Sequence, residues 1–281
     1  ELSDCLVVKT PGIPPTHPVA QLAQDLQLEI TSNTQLFFEY LQEKASNALT
    51  IGVTGTKGKS TTTALIHHVL ESAGLPALLA GNIGKPALNL VSQVSELVTG
   101  EKHPIIVLEL SSHQLMDLPY SPKIAVVLDI TPEHLDYYAS FAEYTAAKSA
   151  ICRFQQAEDI VVFDPTLHGA SALASQSPAQ QLLFADQAKS DSSTPLAAAL
   201  DGEIILSQGK TLISATELPV TGRHQWLNAL PSVVIGTHLG VPSELIVTAL
   251  RSFRPLPHRL ELVATQNGVK YYNDSQATTP E

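Results

Sequence analysis

Apolar positions along this chain follow two rhythms, and the rhythms alternate. Short, continuous apolar runs come first: "ALTIGVTG", "PIIVLEL" (Pro104 to Leu110), "KIAVVLDIT" and "DIVVF". Runs of that length without polar interruption predict strands covered on both faces, as in a parallel sheet. Between them the period lengthens. From Ser60 onward Leu65 and Val69, then Ile66 and Leu70, recur four apart, and Gly74 follows where a helix would end. "PALLAGNIG" reads as a strand and a turn. "SFAEYTAAKSAICRF" reads as an alanine-rich helix whose capping box is Ser140 with Glu143. Strands alternating with helices predict an α/β fold with a doubly wound, mostly parallel sheet.

The pattern weakens between Asp164 and Leu218. "SQSPAQQ" and "KSDSSTP" read as loops, and "EIILS" and "KTLISA" as short strands. "GRHQWLNALPSVVIGTHLG" and "PSELIVTALRSF" then read as helices, the second capped by Ser243. Pro255 and Pro257 mark a linker, and "RLELVATQNGVKYYNDS" reads as a hairpin turning at Asn267-Gly268.

Composition narrows the function classes. The chain has 281 residues, enough for one large or two modest domains, and a net charge of -11. That balance argues against broad binding to nucleic acid or anionic membranes. No apolar run approaches a membrane span, and the opening segment is not a signal peptide. Cys5 and Cys152 are too few for a disulfide framework and lack metal-ligand spacing. A cytoplasmic protein is the expectation. The chain starts at Glu1 and stops in "NDSQATTPE", which reads as a fragment cut at both ends.

The candidate chemistry begins at "GVTGTKGKST". It follows a strand and opens a helix, the context of a phosphate-binding loop. It is a variant, because Val53 stands where the usual pattern has its first glycine. Gly55 and Gly58 let backbone N–H groups converge on phosphate oxygens, Lys59 can reach the terminal phosphates, and Ser60 can ligate magnesium at the helix start. Glu109 ends "PIIVLEL" at the carboxyl edge of the predicted sheet, where ligands bind in such folds. A carboxylate there must be paired or metal-bound. His134 follows the next strand. Taken alone it reads as a surface histidine, and Lys148 as an exposed cation on an alanine-rich helix.

"TGTKGKST", "GNIGKP", "ELSSHQL", "LDITPEHLD", "AAKSAIC", "GRHQWLN", "LPHRLELV" and "NDSQATTPE" occur in one order. In those motifs and their order the chain resembles the Mur ligases, and most of all their D-glutamate-adding branch. The resemblance extends to "KTPGIPPTHP" near the start, so it covers nearly the whole chain.

It implies three domains in the parent protein. Residues 1–46 would be the end of a UDP-sugar-binding domain, 47–254 a central ATP-binding domain, and 255–281 the start of a domain that brings the amino acid. It implies an ATP-dependent amide ligase that adds D-glutamate to UDP-N-acetylmuramoyl-L-alanine through an acyl phosphate, in peptidoglycan synthesis. It also implies a monomer whose only partners are those small molecules. Another Mur-type ligase, a folylpolyglutamate synthetase relative, or a nucleotide-binding module without ligase activity are the alternatives, and the 281-residue piece alone is expected to be inactive. Residue by residue, the resemblance puts ATP on Gly55, Thr56, Lys57, Gly58, Lys59, Ser60 and Thr61, with Asn82, Gln225, Asn228, Arg259 and Asp274. Two magnesium ions would be held by Ser60 and Glu109, and by His134 and Lys148, the latter carbamylated by CO2. Ser111 and Thr278 fall at substrate positions. Lys59, His134 and Lys148 would carry catalysis. The chain departs from the family pattern at Lys57, His113, Asp129, Gln225 and Gln276.

Overall fold

The computed structural model describes residues 5–14, 16–191, 193–259 and 261–275. In chain order its elements are β1 (Leu6–Lys9), α1 (Pro18–Asp25), β2 (Glu29–Ser32), α2 (Asn33–Lys44), β3 (Leu49–Thr54), α3 (Lys59–Ser72), β4 (Ala77–Gly81), α4 (Val91–Thr99), β5 (Ile105–Glu109), α5 (Ser112–Leu115) and β6 (Ile124–Val127). There follow α6 (Phe141–Lys148), α7 (Ala150–Arg153), β7 (Ile160–Phe163), α8 (His168–Ala174), β8 (Gln180–Asp186), β9 (Ala198–Asp201), β10 (Ile204–Ser207), β11 (Lys210–Ser214), α9 (Arg223–His238), α10 (Ser243–Ser252), β12 (Glu261–Gln266) and β13 (Val269–Asn273). Most sheet neighbours run parallel and helices alternate with strands, an α/β architecture. Among the described residues no helix is long and apolar enough to cross a membrane.

The chain forms two compact units. The first holds residues up to Lys59 and Pro76–Leu182; the second holds Ser60–Leu75 and the chain from Leu183 onward. In the first, the strands lie in the order β7-β6-β3-β5-β4, all parallel. β5, β6 and β7 are buried at every position, as unbroken apolar runs require. Register sets Val53 of β3 and Gly81 of β4 on either side of Glu109, so the carboxylate stands at the carboxyl ends of three adjacent strands.

In the second unit β8 and β9 pair in parallel, and β9, β10 and β11 pair antiparallel. α3 is fastened to α9 by the Thr62 hydroxyl, which donates to the Asn228 carbonyl (2.9 Å). Gly236 admits the close contact: a Cβ there would stand 3.1 Å from Val69. α3 ends as its sequence predicts, with Gly74 at φ +77° and Leu75 N donating back to Leu70 O. The hairpin β12–β13 turns through Asn267 and Gly268, both at positive φ.

Four expectations change. The segment read as loop at "SQSPAQQ" already enters β8 at Gln180. Ser243 is the first helical residue of α10; Pro242 takes the cap position and no side chain caps the helix. The "SFAEYTAAKSAICRF" helix breaks at Ser149 into α6 and α7. Ser140 caps α6 by accepting from Glu143 N, but the Glu143 carboxylate reaches Ala139 N instead of the cap residue's own amide.

Candidate active site

The first unit encloses a cavity of about 350 Å³ lined by Lys59, Asn82, Ser111, His113, Glu133, His134, Tyr144 and Lys148, with Pro11 and Gly12 at its edge. Lys59 brings the end of the loop after β3 to this cavity. Thr56 N donates to Asp129 O (2.7 Å), and the Thr56 hydroxyl donates to Thr131 O (2.9 Å) while accepting from Thr131 N (2.9 Å). The exit of β6 therefore grips the loop through backbone carbonyls. That suits Asp129 at a position where the family pattern has asparagine: its side chain is exposed, and its carbonyl accepts the Thr56 amide. Gly55 packs against Leu128, where a Cβ would come within 2.7 Å, and Gly58 adopts φ +80°. Lys59 Nζ donates to Thr56 O (2.7 Å), folded over its own loop.

Lys148 is the least expected feature. It is 1% exposed, not a surface cation. Its Nζ donates to Gly55 O (2.9 Å) and lies 4.7 Å from the centre of the Tyr144 ring. Burial pushes its pKa down to about 7, and the charge of Lys59 adds to the fall. An amine so placed is substantially neutral near physiological pH.

Glu109 is 1% exposed. One carboxylate oxygen accepts from Asn82 Nδ2 (2.8 Å); the other is buried with no hydrogen-bond partner among the described residues. An orphaned, buried, acceptor-only oxygen is the demand a cation satisfies. Among the described residues no group of three or more His, Cys, Asp or Glu could hold a metal. This donor set does not suit a metal that needs an all-protein cage. It suits magnesium, which is usually bound by one or two carboxylates together with substrate phosphates.

His134 reaches the cavity from a strained position, φ +55°. Its ring meets His113 edge-on (5.1 Å between centres), and burial lowers the His113 pKa. Ser111 lines the cavity too, but its hydroxyl is engaged locally. Ser111 and Gln114 form a reciprocal capping box at the start of α5. Sequence reading missed this, although serine followed three residues later by glutamine is its ordinary signature.

The glycine before Asn82 is a further determinant. Gly81 adopts φ +110°, and a Cβ there would fall 2.2 Å from Glu109 O. Gly81→Ala is expected to lower stability by at least about 2 kcal/mol, from backbone strain and collision together. An unchanged urea midpoint would contradict this placement.

In the second unit, Thr61, Thr221, Gln225 and Arg259 line a small cavity of about 20 Å³ at the start of α9. Arg259 Nη2 donates to Ser60 Oγ (3.0 Å). The Gln225 amide oxygen is buried without a hydrogen-bond partner among the described residues. Asn228 contributes its carbonyl to Thr62, as above. Lys57 lies in the loop and Asp274 is exposed just after β13. Thr278 and Gln276 lie outside the described residues.

The Mur ligase middle domain matches residues 53–236. The UDP-N-acetylmuramoylalanine–D-glutamate ligase of Streptococcus gordonii is 38% identical over 274 residues, which is 97% of this chain and 57% of that protein. The enzyme of the same description from Streptococcus mutans is 38% identical over 273 residues, with the same coverage. The chain thus spans about 57% of the length of these curated relatives. Among solved structures, MurF from Acinetobacter baumannii matches with TM-score 0.66 at 19% identity, over 96% of this chain and 64% of that one. The UDP-N-acetylmuramate-alanine ligase MurC of Thermotoga maritima matches with TM-score 0.62 at 21% identity, over 97% and 61%. At such identities these structures speak for the fold alone, and the sequence relatives and the matched domain speak for the lineage: the chain belongs to the Mur ligase family.

Proposed function

We propose that this chain is the catalytic middle of an ATP-dependent amide ligase, one that joins D-glutamate to UDP-N-acetylmuramoyl-L-alanine in the cytoplasm during peptidoglycan precursor synthesis. The observation that carries this reading is the cavity that gathers Lys59, Asn82, His134 and Lys148 at the carboxyl ends of parallel strands, beside the orphaned Glu109 oxygen. The names of the 38%-identical relatives favour D-glutamate as the amino acid. The domain reading follows: residues 1–46 close a UDP-sugar domain, 47–254 bind ATP, and 255–281 open the amino-acid domain of a monomeric protein.

ATP places its β- and γ-phosphates on the amides of Gly55–Thr61 and on Lys59. The γ-phosphoryl group passes to the L-alanine carboxylate; the D-glutamate amine attacks the acyl phosphate, and inorganic phosphate leaves. Magnesium, when bound, would supply charge neutralisation for the phosphoryl oxygens. Glu109 and Ser60 would hold one ion. His134, with Lys148 as a carbamate, would hold the second. The near-neutral Lys148 amine supports that modification, since only an unprotonated amine adds CO2. Lys59 and the loop amides are preorganised donors toward charge that develops during transfer. Gln225, Asn228 and Arg259 serve the nucleoside side, and Asp274 and Thr278 act from the third domain.

The test is calorimetric. Titrated with a non-hydrolysable ATP analogue and magnesium, the 281-residue chain is expected to bind one equivalent. Given UDP-N-acetylmuramoyl-L-alanine, D-glutamate and ATP, the same chain is expected to form no amide, because it spans only part of its relatives. Absence of binding heat contradicts the nucleotide reading; amide formed by the chain alone contradicts the placement of the substrate sites.

A further inference from the structure

The second unit contains an ion pair between a half-exposed arginine and a buried carboxylate that nothing in the ligase chemistry accounts for. Arg223 is the first residue of α9. Its guanidinium grips Asp186 with two parallel bonds, Nε to Oδ2 (3.0 Å) and Nη2 to Oδ1 (2.7 Å), and its Nη1 donates to Gly202 O (2.7 Å). The Asp186 side chain is only 5% exposed and also accepts from Ala188 N. A two-pronged arginine–carboxylate pair fixes direction as well as distance, which a lysine cannot reproduce. The Arg251–Glu217 pair in the same unit differs in its carboxylate: Glu217 is exposed, as Arg251 is, the kind of pair that contributes little, whereas Asp186 is buried.

The helix that Arg223 begins has no side-chain cap among the described residues. Gly222 takes the cap position with φ +99°. Two residues on, in the same first turn, stands Gln225, which lines the small cavity with Thr61 and Arg259 and whose amide oxygen is buried without a hydrogen-bond partner among the described residues. Trp226 shares the turn and donates its Nε1 to Val220 O (3.3 Å). A glutamine amide held rigid offers an acceptor and two donors in one plane, the pattern that matches the amino and ring-nitrogen edge of an adenine.

We propose that Arg223 is a positioning residue for nucleoside recognition: its clamp on Asp186 and Gly202 holds the first turn of α9 so that the Gln225 amide stays presented to the base. This rests on the nucleotide reading above and adds to it a residue, outside the loop and the metal ligands, that sets affinity for the base and not for the phosphates.

The experiment separates the two halves of the ligand. Wild type, Arg223→Met, Arg223→Lys and, as a control, Arg251→Met are titrated with Mg-ATP and with Mg-tripolyphosphate. Emission of Trp226, the single tryptophan of the chain, is followed alongside thermal unfolding. Arg223→Met is expected to weaken ATP at least tenfold and tripolyphosphate less than twofold, and to shift Trp226 emission before any ligand is added. Arg223→Lys should recover part of the ATP affinity, and Arg251→Met should match wild type. Equal loss of both ligands, or ATP affinity unchanged in Arg223→Met while wild type binds ATP, overturns the proposal alone. A wild type that binds tripolyphosphate but not ATP overturns the reading of the α9 cavity and this proposal with it.

Discussion

Lys59→Ala is expected to reduce ATP turnover by about 10²–10³-fold while leaving the thermal midpoint close to wild type. The rate loss follows from removing one preorganised cationic donor aimed at developing phosphoryl charge, worth about 2.7–4 kcal/mol in comparable sites. The fold should survive because the loop is held by other means: Thr56 is bonded to Asp129 and Thr131 at 2.7–2.9 Å, and Gly55 is packed on Leu128. A second consequence lies next door. The Lys59 charge is one reason the Lys148 pKa is low, so the Lys148 pKa should rise in Lys59→Ala. Turnover within about tenfold of wild type would remove the loop from the mechanism; a collapsed midpoint would make Lys59 structural.

The second large effect concerns Lys148 itself. In buffer without divalent cations, its folded-state pKa of about 7 lies far below the ordinary 10.5 of an exposed lysine. Between those values the unfolded chain holds a proton that the folded chain has released. Stability therefore climbs as pH rises from about 7 toward 10.5, and the penalty is fully present below 7. A fall of that size corresponds to about 5 kcal/mol. Lys148→Met, similar in length and uncharged, is expected to flatten this climb and to unfold at higher denaturant than wild type at pH 6. In turnover the same substitution should be inactivating, with partial recovery on adding formate, which returns an anion to the cavity. A Lys148→Arg enzyme with full activity would show that a cation suffices there and would end the carbamate reading.

How far these features could be read in advance depends on the range of the interaction that makes them. β5, β6 and β7 are legible because a strand buried on both faces must be apolar at consecutive positions, and "PIIVLEL" or "DIVVF" has few other uses. β8 and β9 are not. Gln180 and Gln181 open β8 exposed, and β9 begins with two alanines, residues that carry no strand preference. α9 reads through Pro231 because the apolar positions on both sides of it keep their period. The phosphate loop announces itself by local spacing. Lys148 does not: its surroundings are alanine and its neighbours in space come from residues more than ninety positions away, Gly55 and Thr54. Only the family resemblance placed it in the site. The Arg223–Asp186 pair joins residues 37 apart through a tertiary contact, and no local pattern reports it. Ser111 is the opposite case, where a visible capping signature was passed over for a functional role.

The most direct test of the central claim is a product assay on the intact protein that carries this chain. It would receive UDP-N-acetylmuramoyl-L-alanine, ATP, magnesium and, in separate reactions, each candidate amino acid, with amide product, ADP and phosphate measured together. The account predicts one amide, one ADP and one phosphate per turnover with D-glutamate, and all three formed about 10²–10³-fold more slowly in Lys59→Ala. ADP and phosphate released without amide, or amide formed with a different amino acid in preference to D-glutamate, would contradict it.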